Sequence, residues 1–232
     1  MMIDEQKKQA ALAAVTLVEP GMTLGLGTGS TAAHFVDLLG EKARAGLSVK
    51  GVPTSEDTRR RAVAAGIVLI EPDETTAIDL AVDGTDEVDP AFNLIKGGGG
   101  ALLREKIIAA AARRFVVIAD RSKRVAALGA FPLPVEIDRF AYGLTARRVR
   151  EALGALGLPA DLRLRPAPGA AAPFLSDGGH FILDCRLGAI PDPAALDRAL
   201  KSIPGVVETG LFVGLAEKVI LGGPNGVDIM ER

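Results

Sequence analysis

Three segments of this sequence carry residue types suited to binding a small anion and moving its protons. GLGTGST at 25–31 and DGTDEVD at 83–89 each follow an apolar run, and KGGGG at 96–100 precedes a helical pattern. Glycine lets a backbone turn sharply and approach a ligand closely, while carboxylates and lysine relay protons or stabilise charge. The three segments are therefore the first candidates for a functional site.

The segment at 25–31 joins an expected strand to an expected helix. The first amides of a helix have no intrahelical partner and lie at the positive end of its dipole, which favours anions. Ser30 and Thr31 add hydroxyl donors next to Thr28 and Gly29. A phosphate or sugar hydroxyls would suit this turn. The alternative is a tight structural turn in which Ser30 or Thr31 caps the helix.

Two nucleotide-binding motifs can be tested against the same turn. The ATP/GTP loop requires a Gly-Lys pair followed by Ser or Thr, and the sequence contains no Gly-Lys pair. Residues 27–32 do fit G-x-G-x-x-G/A, but a dinucleotide site also needs an acid at the end of the second strand. That strand ends in VPTS at 52–55, so a dinucleotide is disfavoured.

The segment at 83–89 holds four carboxylates in seven residues. Ligands of open α/β sheets bind beyond the carboxyl ends of strands, and clustered carboxylates raise one another's pKa and can relay protons. We expect a functional role for Asp83 and Asp86, and a backbone-capping role for Glu87 and Asp89. A divalent metal is the competing interpretation, although the spacing of a calcium loop is absent.

The segment at 96–100 places Lys96 before four consecutive glycines. Four glycines cost conformational entropy and bury no side chain. A nest of backbone N–H groups that binds an anion would explain that cost, with Lys96 as a cation beside it. A flexible hinge is the alternative.

Glu105 lies in the helix expected after the glycine run. At about 100° per residue its helical neighbours are small or apolar, and no basic residue stands three or four positions away. These neighbours are Ala101, Leu102, Ile108, Ala109 and Ala112. A carboxylate on a packed face is desolvated, which raises its pKa and suits a general base near neutral pH. The alternative is a solvated helix face. Lys123, after the fifth strand, is a further cation at a strand end.

Strands and helices alternate over the first half of the chain, which predicts parallel strands joined by right-handed crossovers. Strands are expected at 22–26, 48–52, 67–70, 78–82 and 115–119, and helices at 4–18, from the first glycine turn to about 44, at 56–65 and at 101–113. After 131–134 the order becomes strand, helix 143–156, strands 161–165 and 180–186, and helix 193–202, with a loop at 167–173. Strands at 206–212 and 218–221 are expected to return to the first domain.

The predicted fold class is α/β. It comprises an open, mostly parallel, Rossmann-like sheet with helices on both faces, plus a smaller α+β domain of the ferredoxin-like kind. The predicted domains are 1–130 with 204–232 as the catalytic α/β domain, and 131–203 as the small domain.

Composition excludes several classes of protein. Hydrophobic residues make up 48% of the chain and aromatic residues 4%, and the 27 glycines exceed the roughly 16 expected from average usage. Such a chain packs a core and is neither disordered, collagenous nor a disulfide scaffold. With a net charge of −2 and few aromatic residues, we expect no nucleic-acid partner.

The cysteine content and the hydropathy of the sequence indicate where in the cell the protein is expected. The single Cys185 lies in an apolar run and is expected to be a buried thiol, and no Cys/His group has zinc spacing. A signal-peptide pattern and an apolar run of ~18 residues are both lacking, so we expect no membrane association and a soluble, cytoplasmic protein.

Taken together, these features indicate a type of reaction. Anion-binding turns, two lysines, an Asp pair and one isolated carboxylate, without metal ligands or a nucleophile set, suit proton abstraction next to a carbonyl. An anionic small molecule such as a sugar phosphate would bind the turns, and we expect neither a cofactor nor a metal.

Several segments resemble ribose-5-phosphate isomerases of the A type, in the same order over essentially the whole chain. They are GLGTGSTAAHF at 25–35, DGTDE at 83–87, KGGGGALLREK at 96–106, FPLPVE at 131–136, GVVETGLF at 205–212 and GPNGVDI at 223–229. The resemblance implies interconversion of ribose 5-phosphate and ribulose 5-phosphate in the non-oxidative pentose phosphate pathway. It also implies a cofactor-free enediol mechanism and a homodimer or homotetramer.

The same resemblance assigns site residues. The family's catalytic base matches Glu105, which would move a proton between C2 and C1 of the open-chain sugar. Its substrate-binding positions match Thr28, Gly29, Ser30, Thr31, Asp83, Gly84, Thr85, Asp86, Lys96, Gly97, Gly98, Gly99 and Lys123.

The chemistry of these residues suggests a division of labour. Lys96 and the glycine amides would stabilise the developing enediolate. Asp83 and Asp86 would assist ring opening or proton transfer between O1 and O2. The phosphate would be held by Ser30, Thr31 and Lys123.

Two other functions deserve comparison. One is a related sugar-phosphate isomerase-deaminase or coenzyme A transferase, of which the transferase would use a glutamate as a nucleophile. The Lys-Gly-Gly-Gly run and the Asp83/Asp86 pair argue against it. A sugar-phosphate-sensing domain of a regulator would need a DNA-binding module, for which the sequence shows no basic helix-turn-helix.

Overall fold

The computed structural model describes residues 2–169 and 172–232, so two residues of the expected loop at 167–173 lie outside the described part. The helices are α1 Ile3–Val15, α2 Ser30–Arg44, α3 Glu56–Ala64, α4 Leu102–Ala111, α5 Tyr142–Ala155 and α6 Pro193–Lys201. The first strands are β1 Thr23–Leu26, β2 Lys50–Pro53, β3 Val68–Leu69, β4 Leu80–Asp83, β5 Glu87–Val88, β6 Leu94–Ile95 and β7 Phe115–Asp120. The remaining strands are β8 Leu133–Ile137, β9 Asp161–Leu164, β10 Phe181–Arg186, β11 Val206–Thr209, β12 Leu211–Phe212, β13 Lys218–Gly223 and β14 Gly226–Glu231.

The chain folds into two compact units. Unit 1 comprises the chain up to Thr85, then Arg104–Lys123 and Leu215–Arg232, and unit 2 comprises Asp86–Leu103 and Arg124–Gly214. This division differs from the domain boundaries expected at 131 and 203. Residues 86–103 fall in unit 2 because β5 and β6 pair with β12 in a small sheet of their own.

Unit 1 is built on one twisted sheet with the strand order β14-β13-β7-β4-β1-β2-β3. Every neighbouring pair is parallel except β13 and β14. The interior strand β7, FVVIAD, is buried along its whole length, as expected for a parallel strand covered on both faces. The predicted open, mostly parallel sheet is confirmed.

Helices cover both faces of this sheet. Leu24 and Leu26 of β1 belong to a core cluster with Ala10 of α1 and Phe35 of α2. Gly25 lies between the two leucines, so its Cα hydrogen faces the opposite side. A Cβ built there would lie 2.4 Å from Ile108 of α4, which places α4 on the face away from α1 and α2. The expected helices on both faces are confirmed.

Unit 2 contains a four-stranded antiparallel sheet with the order β11-β8-β10-β9. Its elements follow one another as β8-α5-β9-β10-α6-β11, which is the ferredoxin-like arrangement. The predicted α+β architecture is confirmed. Cys185 in β10 is fully buried in the core of this unit, as its apolar run predicts.

The prediction for 206–212 was wrong. The segment does not return to the large sheet but divides at Gly210 into two strands of unit 2. β11 pairs with β8, and β12 pairs with β6. Its apolar pattern fits either sheet, and pairing with distant strands decides between them. The strand β14, which pairs with β13, was also absent from the prediction.

Among the described residues, no helix is long and apolar enough to cross a membrane.

Candidate active site

The first group of candidate residues lies at the carboxyl edge of the large sheet in unit 1. The register pairs Leu26 with both Pro53 and Val82, and Val82 with Val116. Parallel strands in this register release their following loops along one edge. The loops carrying Thr28–Thr31 and Asp83–Thr85 therefore leave adjacent strands, β1 and β4.

Asp83 ends β4 and is 3% exposed. Its Oδ1 accepts hydrogen bonds from the amides of Thr28 (3.0 Å) and Gly84 (2.7 Å). A Cβ at Gly27 would lie 2.2 Å from the same oxygen, so this position has room only for glycine. The glycine turn and the Asp83 carboxylate therefore form one rigid assembly.

A cluster of hydroxyl groups holds the turn from the side of β2 and α3. Thr28 Oγ1 lies 2.8 Å from Thr54 Oγ1, 2.8 Å from Ser55 Oγ and 3.2 Å from Thr58 Oγ1. Thr58 Oγ1 also donates to the carbonyl of Gly27 over 2.9 Å. These contacts tie the Thr28 side chain to the protein, so Thr28 shapes the turn through its hydroxyl.

Thr54, Ser55 and Thr58 were not among the residues singled out from the sequence. The only available signal is local: Ser55 precedes a helix that begins Glu-Asp, and its Oγ accepts from the Thr58 amide over 3.0 Å as an N-cap. Nothing in that pattern reveals a bond to Thr28, which is distant in the chain.

The helix α2 begins directly after the glycine turn. Its N-cap is Gly29, at φ +105°, which has no side chain with which to cap the helix. Neither Ser30 nor Thr31 takes the capping position that was considered as an alternative. A glycine N-cap places no side-chain oxygen on the first amides of α2, and such a helix start suits an anion. Ser30 is exposed and Thr31 is buried.

Lys7 of α1 adds a cation at this turn. Its Nζ lies 3.0 Å from Ser30 Oγ. Sequence reasoning missed Lys7 because a lysine pair on an amphipathic helix is typical of a solvated face. Its place next to the turn arises from the packing of α1 against α2.

Lys123 ends a short 3₁₀ turn, Arg121–Lys123, that follows β7. Asp120, which is 1% exposed, accepts hydrogen bonds from the amide and hydroxyl of Ser122. This buried carboxylate fixes the turn, so that half-buried Lys123 extends from the same edge of the sheet as Asp83.

Glu105 lies in the first turn of α4 and is 4% exposed. Leu102, Ile108 and Ala109 on the same face are buried, whereas Ala112 is half-buried. The predicted burial of this face is confirmed, and the solvated alternative is wrong. The neighbouring Arg104 turns away and donates to Glu56 Oε1 over 2.8 Å. That hydrogen bond lowers the pKa of Glu56 below its ordinary value.

The second group of candidate residues lies in unit 2. Lys96 follows β6 and is 2% exposed. Its Nζ lies 5.4 Å from the centroid of the Phe212 ring, a cation–π distance. Its amide donates to the carbonyl of Gly210 over 2.9 Å. The lysine is thus held by strand pairing at its backbone and by an aromatic face at its side chain.

The glycine run closes a turn. The Gly100 amide donates to the Gly97 carbonyl over 2.9 Å, and these two glycines have φ of +84° and +96°. The Gly98 amide donates to Asp86 Oδ2 over 2.8 Å, and a Cβ at Gly98 would lie 2.7 Å from Asp86 Oδ1. The run is an ordered turn in contact with Asp86, with Gly98 and Gly99 exposed.

Glu87 and Asp89 have the structural roles expected of them. The two carboxylate oxygens of Glu87 accept the amides of Gly129 and Phe131, each over 2.6 Å. Asp89 Oδ1 accepts the amides of Ala91 and Asn93. In the part of the chain that the structure describes, no group of three or more His, Cys, Asp or Glu side chains could hold a metal ion.

Comparison with known proteins decides the family. The family model described as Ribose 5-phosphate isomerase A (phosphoriboisomerase A) matches residues 50–226. The chain belongs to the ribose 5-phosphate isomerase A family. A family member from Rhodopseudomonas palustris (strain BisB18), named Ribose-5-phosphate isomerase A, is 57% identical over 232 residues and covers 100% of both chains. The resemblance found in the sequence is confirmed.

Solved structures of the isomerase family agree in fold. A D-ribose-5-phosphate isomerase in complex with phospho-erythronic acid has a TM-score of 0.93 at 41% identity, over 100% of both chains. Ribose 5-phosphate isomerase A from Methanocaldococcus jannaschii has a TM-score of 0.90 at 40% identity, over 97% of this chain and 98% of that one.

The candidate residues of this isomerase-family chain fall into one group per unit. Unit 1 carries Thr28, Gly29, Ser30, Thr31, Asp83, Gly84, Thr85, Glu105 and Lys123, and unit 2 carries Asp86, Lys96, Gly97, Gly98 and Gly99. Within unit 1 the structure brings Thr28 into contact with Asp83, and within unit 2 it brings Gly98 into contact with Asp86.

Proposed function

We propose that this chain interconverts D-ribose 5-phosphate and D-ribulose 5-phosphate by a cofactor-free enediol mechanism, with Glu105 as the general base. Membership of the isomerase family over the whole length supports the reaction. The observation that carries the mechanism is the burial of the Glu105 carboxyl group, 4% exposed on a helix face lined by apolar side chains. Burial strips water from a carboxylate and makes it a stronger base.

The proton balance of the proposed reaction needs one base. The Glu105 carboxylate takes the proton from C2 of the open-chain aldose, and the C2–H electrons form the C1–C2 double bond while O1 gains negative charge. A proton then passes from O2 to O1. Protonated Glu105 returns its proton to C1, and O2 becomes the ketose carbonyl oxygen.

The charge that develops on the enediolate requires fixed donors. We assign this role to Lys96 and the amides of the glycine run 97–99, because preorganised donors in a water-poor site stabilise charge strongly. Lys96 is 2% exposed, so little water screens its charge. Asp83 and Asp86 serve ring opening or the transfer between O1 and O2, each held in place by backbone amides.

The phosphate of the substrate is assigned to the start of α2. Ser30 and Thr31 supply hydroxyl groups and amides there, and Lys123 supplies a cation. Lys7, 3.0 Å from the Ser30 hydroxyl, joins this set. A helix start with a glycine N-cap and Lys7 beside it is suitable chemistry for a phosphate dianion.

Isotope exchange tests the proposal. The protein is incubated with ribose 5-phosphate in heavy water that contains a metal chelator, and the sugar is followed by NMR. We expect ribulose 5-phosphate to form and deuterium to enter at C2 of ribose 5-phosphate. Because buried Glu105 can pass the same proton from C2 to C1, exchange is followed over many reversible turnovers. A complete lack of deuterium after them would indicate a hydride shift and contradict the enediol route, and no turnover at all would contradict the isomerase proposal.

No observation favours the transferase or the sensing-domain alternative. Acyl-coenzyme A exchange without isomerisation, or sugar-phosphate binding without turnover, would support them respectively. The homodimer or homotetramer and the cytoplasmic location stay predictions, and sedimentation analysis of the purified protein tests the first.

A further inference from the structure

Arg165 lies behind the glycine turn of unit 2 and contacts it directly. Its Nη1 donates to the carbonyl oxygens of Gly97 (2.8 Å) and Gly98 (3.1 Å). Its own backbone is held on both sides, because its amide donates to the Ile182 carbonyl and its carbonyl accepts from the Phe174 amide, each over 2.8 Å. The backbone that carries the Arg165 side chain is therefore held in place, and its guanidinium group binds two carbonyl oxygens of the glycine turn.

A carboxylate orients the other side of the guanidinium group. Arg165 Nε donates to Asp184 Oδ2 over 3.0 Å, and Nη2 donates to Oδ1 over 2.5 Å. A two-point pair of this kind fixes the plane of the guanidinium group. The Arg165 side chain is only 13% exposed, so the pair is largely shielded from solvent. Asp184 lies in β10, which makes its position part of the antiparallel sheet.

Because the peptide bond is planar, a contact to a carbonyl oxygen also fixes the direction of the N–H group in the same peptide. In a trans peptide the C=O and the following N–H point to opposite sides. Because Arg165 holds the oxygens of Gly97 and Gly98, the amides of Gly98 and Gly99 face away from it. The observed bond from the Gly98 amide to Asp86 Oδ2, at 2.8 Å, follows this geometry.

We propose that Arg165 is a positioning residue for the isomerase reaction, acting through the glycine turn. By binding two carbonyl oxygens it aims the Gly98 amide at Asp86 and leaves the Gly99 amide directed at the enediolate of the substrate. Its positive charge also polarises both peptide groups, which strengthens their N–H groups as donors. The proposal rests on the proposed function, since it assigns a purpose to the amides that the mechanism uses.

Kinetics of variants at one strand end test this role. Arg165→Gln removes the positive charge and the planar guanidinium group. Arg165→Lys keeps the charge but cannot reach two carbonyl oxygens and both Asp184 oxygens at once. The matched control is Arg163→Gln, because Arg163 lies in β9, two residues before Arg165, with a side chain that is 68% exposed. We expect both Arg165 variants to lose kcat by about 100-fold, the scale of a 1 Å misplacement at an active site. The KM for ribose 5-phosphate should change little, and Arg163→Gln should match the wild type.

Two further measurements separate positioning from folding. Phospho-erythronic acid carries a carboxylate where the enediolate forms, so its inhibition constant should rise in parallel with the loss of kcat. Millimolar guanidinium should restore part of the activity of Arg165→Ala, since it can occupy the vacated site. A misfolded variant would show neither behaviour, and thermal melting reports the folded fraction directly.

The outcomes distinguish the two proposals. A wild-type protein without isomerase activity overturns the proposed function. With an active wild type, an Arg165→Lys protein that folds normally and keeps the wild-type kcat overturns the positioning role. A loss of activity that the folded fraction fully explains, without guanidinium rescue, overturns it as well.

Discussion

The Thr28 amide donates a hydrogen bond to Asp83 Oδ1 over 3.0 Å, although the two residues are 55 positions apart in the chain. The bond joins the glycine turn after β1 to the carboxyl end of β4. Gly27, which precedes Thr28, packs so closely against the same carboxylate that a Cβ at this position would have no room. The turn that would receive the phosphate and the carboxylate assigned to proton transfer are consequently coupled in position.

Gly27→Ala should disturb this coupling. The new Cβ would meet Asp83 Oδ1 at 2.2 Å and the Asp83 Cα at 2.5 Å, so the carboxylate or the turn must shift. We expect kcat/KM to fall by about 100-fold, as a displacement near 1 Å costs. Steady-state assays measure this. The control is Gly143→Ala in α5, where a Cβ meets nothing within 4 Å, and equal effects of the two substitutions would contradict the coupling.

Glu105→Gln should remove the base without removing the site. Glutamine keeps the shape of the side chain but cannot accept the C2 proton, so kcat should fall by roughly 10²–10⁴-fold, the usual contribution of a general base. Calorimetry with ribose 5-phosphate should still show binding, and deuterium exchange at C2 should disappear. The exposed Glu41, replaced by Gln, serves as the control. Weaker binding with an unchanged kcat would refute the assignment.

Thr58→Val should destabilise the fold through the hydroxyl cluster. Valine has nearly the same shape but leaves the Gly27 carbonyl without the bond that Thr58 Oγ1 supplies over 2.9 Å. Thr58 is buried, and a buried group deprived of its partner costs about 1–3 kcal/mol of unfolding free energy. Urea denaturation measures the change. Thr75→Val also removes a hydroxyl hydrogen bond, to Asp73 Oδ1 over 2.8 Å, but at an exposed turn where water can replace it. It should therefore cost no more than about 0.5 kcal/mol, and a loss equal to that of Thr58→Val would contradict the role of the cluster.

Cys185 should be unreactive in the folded protein. Burial raises the pKa of its thiol to about 12, so the thiolate that reacts with disulfide reagents is scarce at neutral pH. A thiol assay should show no reaction in buffer and one reactive thiol in denaturant. Fast reaction of the native protein at pH 8 would contradict this expectation.

The raised pKa of the Cys185 thiol also makes the stability of the folded protein depend on pH. The folded-state pKa of Cys185 lies above the unfolded value near 9, so the protonated thiol contributes its stability fully below pH 9. That contribution is lost as the pH rises from about 9 towards 12. Unfolding free energies of the wild type and Cys185→Ala, compared across pH 8–10, should therefore converge as the pH rises, and parallel curves would contradict the shift.

Much of the fold could be predicted because helices and buried strands carry local patterns. The apolar runs that became β1, β4 and β7 and the helical periodicity of α4 are visible within about ten residues. The two-residue strands β5 and β6 have no such pattern, and they were missed. The segment 206–212 was assigned to the wrong sheet because its apolar residues would suit either one.

The candidate site divides in the same way. The sequence by itself determined the glycine turns, the burial of Glu105 and the family, since each depends on residues close together in the chain. Only the tertiary structure decided that Thr28 meets Asp83, that Thr58 supports the turn, and that Lys7 and Arg165 stand next to Ser30 and the glycine run. The physical reason is that strand pairing and helix packing join segments tens of residues apart, and no local periodicity encodes which side chains then come into contact.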